Sequence, residues 1–456
     1  MIMKTIYKLS LVVLFSFWTL SCNVLDQVSP NDVDSDNVFT STAGAQSALI
    51  GLYSSLQARD YYGGYFPMLT DLYSDVSLAG GFDNIALNEI SDQTITPANI
   101  FAQNTYLALY YTIATANHII AGVELVKEPT FTAGIKNGIK GQALAIRALA
   151  HFDALRMFGQ HWNNASVYGV PIVLTVQKAT DVVPRSTVAQ SYTAIIKDLR
   201  DALPLLDPAD ESKQFVNVNA VNGLLARVFL YKQDMANAIL SSSNVIDANT
   251  YSMLDADNFN SIYTVRQSPE SIFELIFDVQ NRSSYNVLTY SRTDALRTEI
   301  LWLAEESLNT FFSNRPGDAR ASLVDFDPAN NDSGIIPDGR SQKYRGEETR
   351  DNPAFILRLA ELYLIRAEAY GYTQNGIDEI NVVRANRGLA DYTFSDLGDA
   401  TEYVDAIMDE RKAEFNFEGH RMFDVARVTG SDLSIFPFPQ REITASKGAI
   451  KQNPGY

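Results

Sequence analysis

In Asn137-Gly-Ile-Lys-Gly-Gln-Ala-Leu-Ala-Ile-Arg-Ala-Leu-Ala-His-Phe-Asp-Ala-Leu-Arg-Met-Phe158, the residues Ile139, Ala143, Ile146, Ala150, Ala154 and Met157 recur at steps of four, three, four, four and three. That spacing sets them on one face of an α-helix. Gly159 supplies the stop, and small residues at 143, 145, 148, 150 and 154 let a neighbouring helix approach closely. A helix shaped for close packing on other helices predicts a mainly α chain built from helix pairs.

Two further stretches have the form of antiparallel helix pairs: Asn222–Ile246, turning near Gln233-Asp234, and Pro353–Arg387, turning at Gly371-Tyr-Thr-Gln-Asn-Gly376. Ala226, Tyr231 and Ala238 in the first, and Ala360, Ala367 and Tyr370 in the second, sit where tetratricopeptide repeats place small and aromatic residues. Several such pairs predict a partial superhelix in which each pair buries its apolar face on the next. Minor β structure is expected at Ser271-Ile-Phe-Glu-Leu-Ile-Phe-Asp-Val279. Ser77–Asn84, Ser252–Pro269 and Asn281–Thr293 are rich in Gly, Ser, Asn and aromatics without a long period, the pattern of functional loops.

At the N-terminus, Lys4 and Lys8 precede the apolar run Leu9–Leu20, as in an export signal. A run that short does not cross a bilayer, which takes about 20 residues. Cys22 is the one cysteine in 456 residues, so no disulfide forms within the chain. Leu20-Ser21-Cys22 resembles a bacterial lipobox, which implies an acylated Cys22 as the first mature residue. Residues 1–21 are thus expected to be a signal peptide, 22–39 a polar tether broken by Pro30, and 40–456 a single domain, with an N-terminal part to about 250 and a C-terminal part from about 251. Asp32, Asp34 and Asp36 have the spacing of a calcium loop, but Asn37 and Ala43 stand where Gly and Glu are needed. The formal charge of −18 becomes about −20 without the signal, a balance that repels phosphates and speaks against nucleic acid as a partner.

Further along, Glu410-Arg-Lys-Ala-Glu-Phe-Asn-Phe-Glu-Gly-His-Arg-Met-Phe-Asp-Val425, Pro437-Phe-Pro-Gln-Arg-Glu-Ile443 and Gln452-Asn-Pro-Gly-Tyr456 are similar to the C-terminal motifs of the SusD/RagB family. Met422 departs from the bulky residue usual there, a change a flexible thioether absorbs. The resemblance implies a tetratricopeptide-like scaffold with irregular ligand loops, on a lipid-anchored outer-membrane surface protein. It also implies a partner, a SusC-like TonB-dependent transporter that the protein covers as a lid, and an oligosaccharide ligand.

Glu410, Glu414 and Glu418 fall at i, i+4 and i+8, and paired carboxylates can cleave glycosides. Arg411, Lys412, Arg421 and Asp424 nearby favour charge pairs that pin the segment to its neighbours. The four histidines are scattered and no metal motif or catalytic elbow is present, so no cofactor and no metal is expected. Sugar rings need flat aromatic surfaces beside polar groups. Asp60-Tyr-Tyr-Gly-Gly-Tyr-Phe-Pro67 predicts exposed Tyr61, Tyr62 and Tyr65; Phe82 with Asn84, Tyr285 with Tyr290, and Trp302 complete the candidate ligand residues. The expected function is non-catalytic glycan capture, the alternatives being a peptide binder on the same scaffold and a surface glycosidase.

Overall fold

A computed structural model of the chain describes residues 38–80, 84–178, 180–289, 300–326, 338–344, 349–430 and 435–456. Cys22 and most of the expected tether lie outside these residues, as do Phe82 and Tyr290. In chain order the elements are α1 (Thr42–Leu56), α2 (Tyr65–Leu72), β1 (Ser77–Ala79), α3 (Ile85–Ser91), α4 (Ile100–Gly122), α5 (Ala133–Phe158), α6 (Val188–Ala202), α7 (Val218–Tyr231) and α8 (Met235–Ile246). There follow β2 (Ser271–Leu275), α9 (Tyr285–Thr289), β3 (Trp302–Ala304), α10 (Glu306–Ser313), β4 (Val324–Asp325), β5 (Arg340–Ser341) and β6 (Ala354–Arg358). The chain finishes with α11 (Leu359–Tyr370), α12 (Gln374–Ala385), α13 (Ala400–Phe415), α14 (Arg421–Thr429) and α15 (Gln440–Ala445). Among the described residues, no helix is long and apolar enough to cross a membrane.

α5 is the spine. Its predicted face is buried, from Ile139 at 4% exposed to Met157 at 0%. So is nearly everything else between Ala143 and Phe158, because α4 and α6 pack along it on two sides. Thr132 starts the helix, its Oγ1 accepting from Ile135 N at 3.3 Å. Gly159 ends it in extended backbone (φ −125°), not the left-handed turn implied by a glycine stop. Glycine is required there for space, since a Cβ would sit 2.8 Å from Leu155 Cδ1 and 3.1 Å from Tyr168 O.

The two predicted hairpins form, α7 with α8 and α11 with α12, and α8 packs on α11. Asn217 and Asp234 cap α7 and α8 through their side chains. The second pair begins later than the sequence suggests. Ala354–Arg358 is strand β6, paired antiparallel with β2. Both strands are buried along their whole length, and a continuously apolar run carries no alternation to distinguish strand from helix. One hydrophobic core runs from α1 to the C-terminal segment, and a smaller one is enclosed by α11, α12 and α13.

β1 and β3 form a short antiparallel ribbon in the register Ser77 to Ala304 and Ala79 to Trp302. The ribbon joins chain regions more than two hundred residues apart, and this junction positions the candidate site.

Candidate functional site

Three of the loops nominated by sequence meet beside the β1–β3 ribbon. Ser284 N donates to Gly63 O at 2.8 Å, Gly80 N to Leu301 O at 3.1 Å, and Leu301 N to Leu288 O at 3.1 Å. Gly64, at φ +146°, is where the first two loops touch: a Cβ there would lie 2.9 Å from Ser284 Cβ. From the other side, Asn286 Nδ2 donates to Tyr344 O at 3.0 Å and Ser283 N to Arg350 O at 2.9 Å. Turns remote in sequence are thereby fixed backbone to backbone.

The rings expected on the surface of these turns are the bed beneath them. Tyr61 is 0%, Tyr62 5%, Tyr65 6%, Tyr285 2% and Trp302 0% exposed. The expectation of exposed rings is corrected, and the reason is polar. Tyr61 and Tyr62 both donate their hydroxyls to Asp153 Oδ2 on α5, at 2.6 and 2.7 Å, so ring and polar tip are both satisfied inside. Arg156 closes on the other oxygen of Asp153 at 2.5 Å. Tyr285 donates to Tyr62 O at 2.8 Å and stacks on Tyr344 with centroids 4.5 Å apart. Trp302 donates through Nε1 to Ser77 Oγ at 3.0 Å, its ring against Phe417. Tyr65 packs its edge on Phe101 while the Arg59 guanidinium lies 5.0 Å above its ring. Asn84 caps α3, accepting from Leu87 N at 3.2 Å.

Polar side chains form the outer surface of the junction. Gln57 Nε2 donates to Ile276 O at 2.6 Å, and Gln57 Oε1 accepts from Asn281 Nδ2 at 2.9 Å. Asp278 Oδ1 accepts from Asn281 N at 2.7 Å, holding the 278–282 turn with Asn281 and Arg282 in solvent. This arrangement presents amides, a guanidinium and a carboxylate on an aromatic foundation, the groups that bind hydroxyl-rich ligands.

The three glutamates with helical spacing lead elsewhere. α13 ends at Phe415, so Glu418 is in the following turn, where Phe417 takes φ +60°. Glu410 pairs with Arg315, Arg320 and Arg384 at 2.5, 2.7 and 2.7 Å. Glu414 pairs with Arg358, Arg387 and Arg320 at 2.7, 2.9 and 3.3 Å, and Glu418 with Arg358 and Lys343 at 2.8 Å each. Burial pushes the Glu410 carboxyl up, but the surrounding guanidiniums outweigh it and hold the group at about 2. A carboxylate held ionised and enclosed by cations is a structural clamp. Arg421 reaches Asp75, while Asp424 pairs with Arg411 and Arg427.

Set against known proteins, residues 24–230 match a family profile described as "Starch-binding associating with outer membrane", and residues 248–435 match one described as "SusD family". The chain belongs to the SusD/RagB family. SusD-like protein P2 of Formosa agariphila is 22% identical over 99% of each chain. A SusD superfamily crystal structure from Bacteroides thetaiotaomicron superposes with a TM-score of 0.81 at 22% identity, covering 91% of this chain and 100% of the other. A laminarin binding SusD-like protein superposes with 0.76 at 21% identity, covering 91% and 99%. The mainly α, tetratricopeptide-like fold is thus that of the SusD/RagB proteins.

Sequence reasoning about this SusD/RagB member missed Asp153 as anchor of the Tyr61-Tyr62 turn. A signal was present: an acidic residue in the apolar stretch Phe152–Phe158 needs a buried partner.

Proposed function

We propose that this SusD/RagB member captures an oligosaccharide at the loop junction and delivers it, unaltered, to a SusC-like TonB-dependent transporter in the outer membrane. The observation that carries this reading is the convergence of the 57–64, 278–289 and 300–304 segments with Gly80 on one rigid bed, beneath exposed Asn281 and Arg282. The description of the N-terminal profile and the laminarin-binding relative support a saccharide ligand and an outer-membrane location. Clamping of Glu410, Glu414 and Glu418 in ion pairs supports a role without chemistry. Asn84, Phe82 and Tyr290 are the candidate residues assigned to ligand contact here, the last two supplying rings. Acylated Cys22 would anchor the protein at the cell surface.

Calorimetric titration with laminari-, malto- and manno-hexaose tests the assignment. Binding that Phe82→Ala with Tyr290→Ala weakens at least about tenfold, at unchanged melting temperature, is the expected result. Tight binding of peptides with no saccharide signal would overturn it in favour of a peptide carrier.

A further inference from the structure

A groove of about 440 Å³ lies between α4, the chain running through Pro171–Lys178 and Thr180–Val183, and α15. Its size is that of a small-ligand site. Tyr106 and Tyr110, one turn apart on α4, line it and stack with centroids 4.4 Å apart at 25°. Tyr106 is buried, whereas Tyr110 is half-buried and tied by its hydroxyl to Pro171 O at 2.9 Å.

The wall opposite α15 is extended backbone held by side chains from below. Asn117 Nδ2 donates to Val173 O at 3.0 Å and Thr175 O at 3.2 Å, Arg147 Nη1 to Leu174 O at 2.8 Å, and His151 Nε2 accepts from Val173 N at 3.1 Å. Buried polar groups spent on holding a surface segment keep the groove's shape fixed before any ligand arrives.

Part of its polar lining retains free hydrogen-bonding capacity. The Glu442 side chain is only 22% exposed, and among the described residues its one ionic partner is Arg441, at 3.9 Å and itself 62% exposed. Burial pushes the Glu442 carboxyl up. Gln177 uses Nε2 on Thr175 O and Oγ1, both at 2.9 Å, and its Oε1 accepts no hydrogen bond among the described residues. Lys447 adds an exposed ammonium donor.

We propose that this groove is a second saccharide site, which takes a short neutral oligosaccharide segment with a pyranose C–H face on Tyr110 and hydroxyls donated to Glu442 and Gln177. Tyrosine beside valine walls suits the apolar face of a sugar ring. Among the lining side chains two carboxylates, Glu442 and Asp181, outnumber the one ammonium of Lys447, which disfavours an anionic ligand. The groove shares none of its lining with the loop junction, so the two assignments fail separately.

The test is titration of the full chain with the same three hexasaccharides, using Glu442→Gln, Val182→Trp and the Phe82→Ala/Tyr290→Ala pair. Val182 is 46% exposed, so a tryptophan there fills the groove without entering the core. The wild type is expected to show two sites for one of the sugars, and the junction variant to keep one. Glu442→Gln and Val182→Trp, added to the junction variant, should each weaken the remaining site at least about tenfold. Loss of all binding in the junction variant, a remaining site indifferent to both groove substitutions, or no binding by any hexasaccharide would overturn the proposal. Loss of all binding in the groove variants alone would retain it and overturn the junction assignment instead.

Discussion

Tyr62 donates its hydroxyl to Asp153 Oδ2 at 2.7 Å, and that carboxylate also holds Tyr61 and Arg156. Asp153→Ala would leave a buried guanidinium and two buried hydroxyls unmatched. The expected cost is about 3–5 kcal/mol of unfolding free energy, and Tyr62→Phe should cost about 1–2 kcal/mol. Urea titration followed by circular dichroism measures both; an unchanged midpoint for Asp153→Ala would contradict the anchoring role.

Glu414→Gln removes the charge that Arg320, Arg358 and Arg387 share. Breaking a buried pair of this kind costs about 3–5 kcal/mol, so the variant should melt well below the wild type or accumulate as insoluble protein. A catalytic glutamate would instead tolerate the change in stability and lose turnover.

Burial pushes the Asp71 carboxyl up to about 7, with Gly419 N donating to its Oδ2 at 3.2 Å. A carboxyl raised on folding keeps its proton longer in the native state, so its contribution to stability is full below the unfolded value of 3.8 and is lost as pH rises to about 7. Asp71→Asn removes that loss. The variant's stability relative to wild type should climb between pH 4 and 7, by at most about 1.4 kcal/mol per unit, and level off above. A difference flat across this range in pH-resolved denaturation would refute the assignment.

Gly64→Ala introduces a Cβ 2.9 Å from Ser284 Cβ at a φ of +146°. We expect a loss of about 1–3 kcal/mol in thermal melts, and weaker saccharide binding at the junction even below the melting range.

Cys22→Ala should release the protein from the membrane fraction into the soluble one on cell fractionation, because the acylation proposed at Cys22 would be lost. Retention on the membrane would rule out lipidation at Cys22.

The helical plan was legible because α5, α7, α8, α11 and α12 carry their packing faces in residue spacing. β6 was not, since an apolar run buried on both faces has no period to read. The site divides in the same way. Asn281 sits on the exposed turn its composition predicts, but the Tyr61-Tyr62 rings are turned inward by Asp153, ninety-odd residues away. Local sequence near Gly63-Gly64 signals a bend; which side of the bend faces water is set by a partner that only the assembled fold supplies.

Arg227 on α7 grips Glu361 on α11 through two hydrogen bonds of 2.6 and 2.5 Å, both side chains all but sealed from solvent. One partner falls in the first profile match and the other in the second. Swinging the halves apart would therefore break a buried ion pair that bridges them. The two matched segments are consequently latched to each other at this pair, which leaves no fold line between α7 and α11.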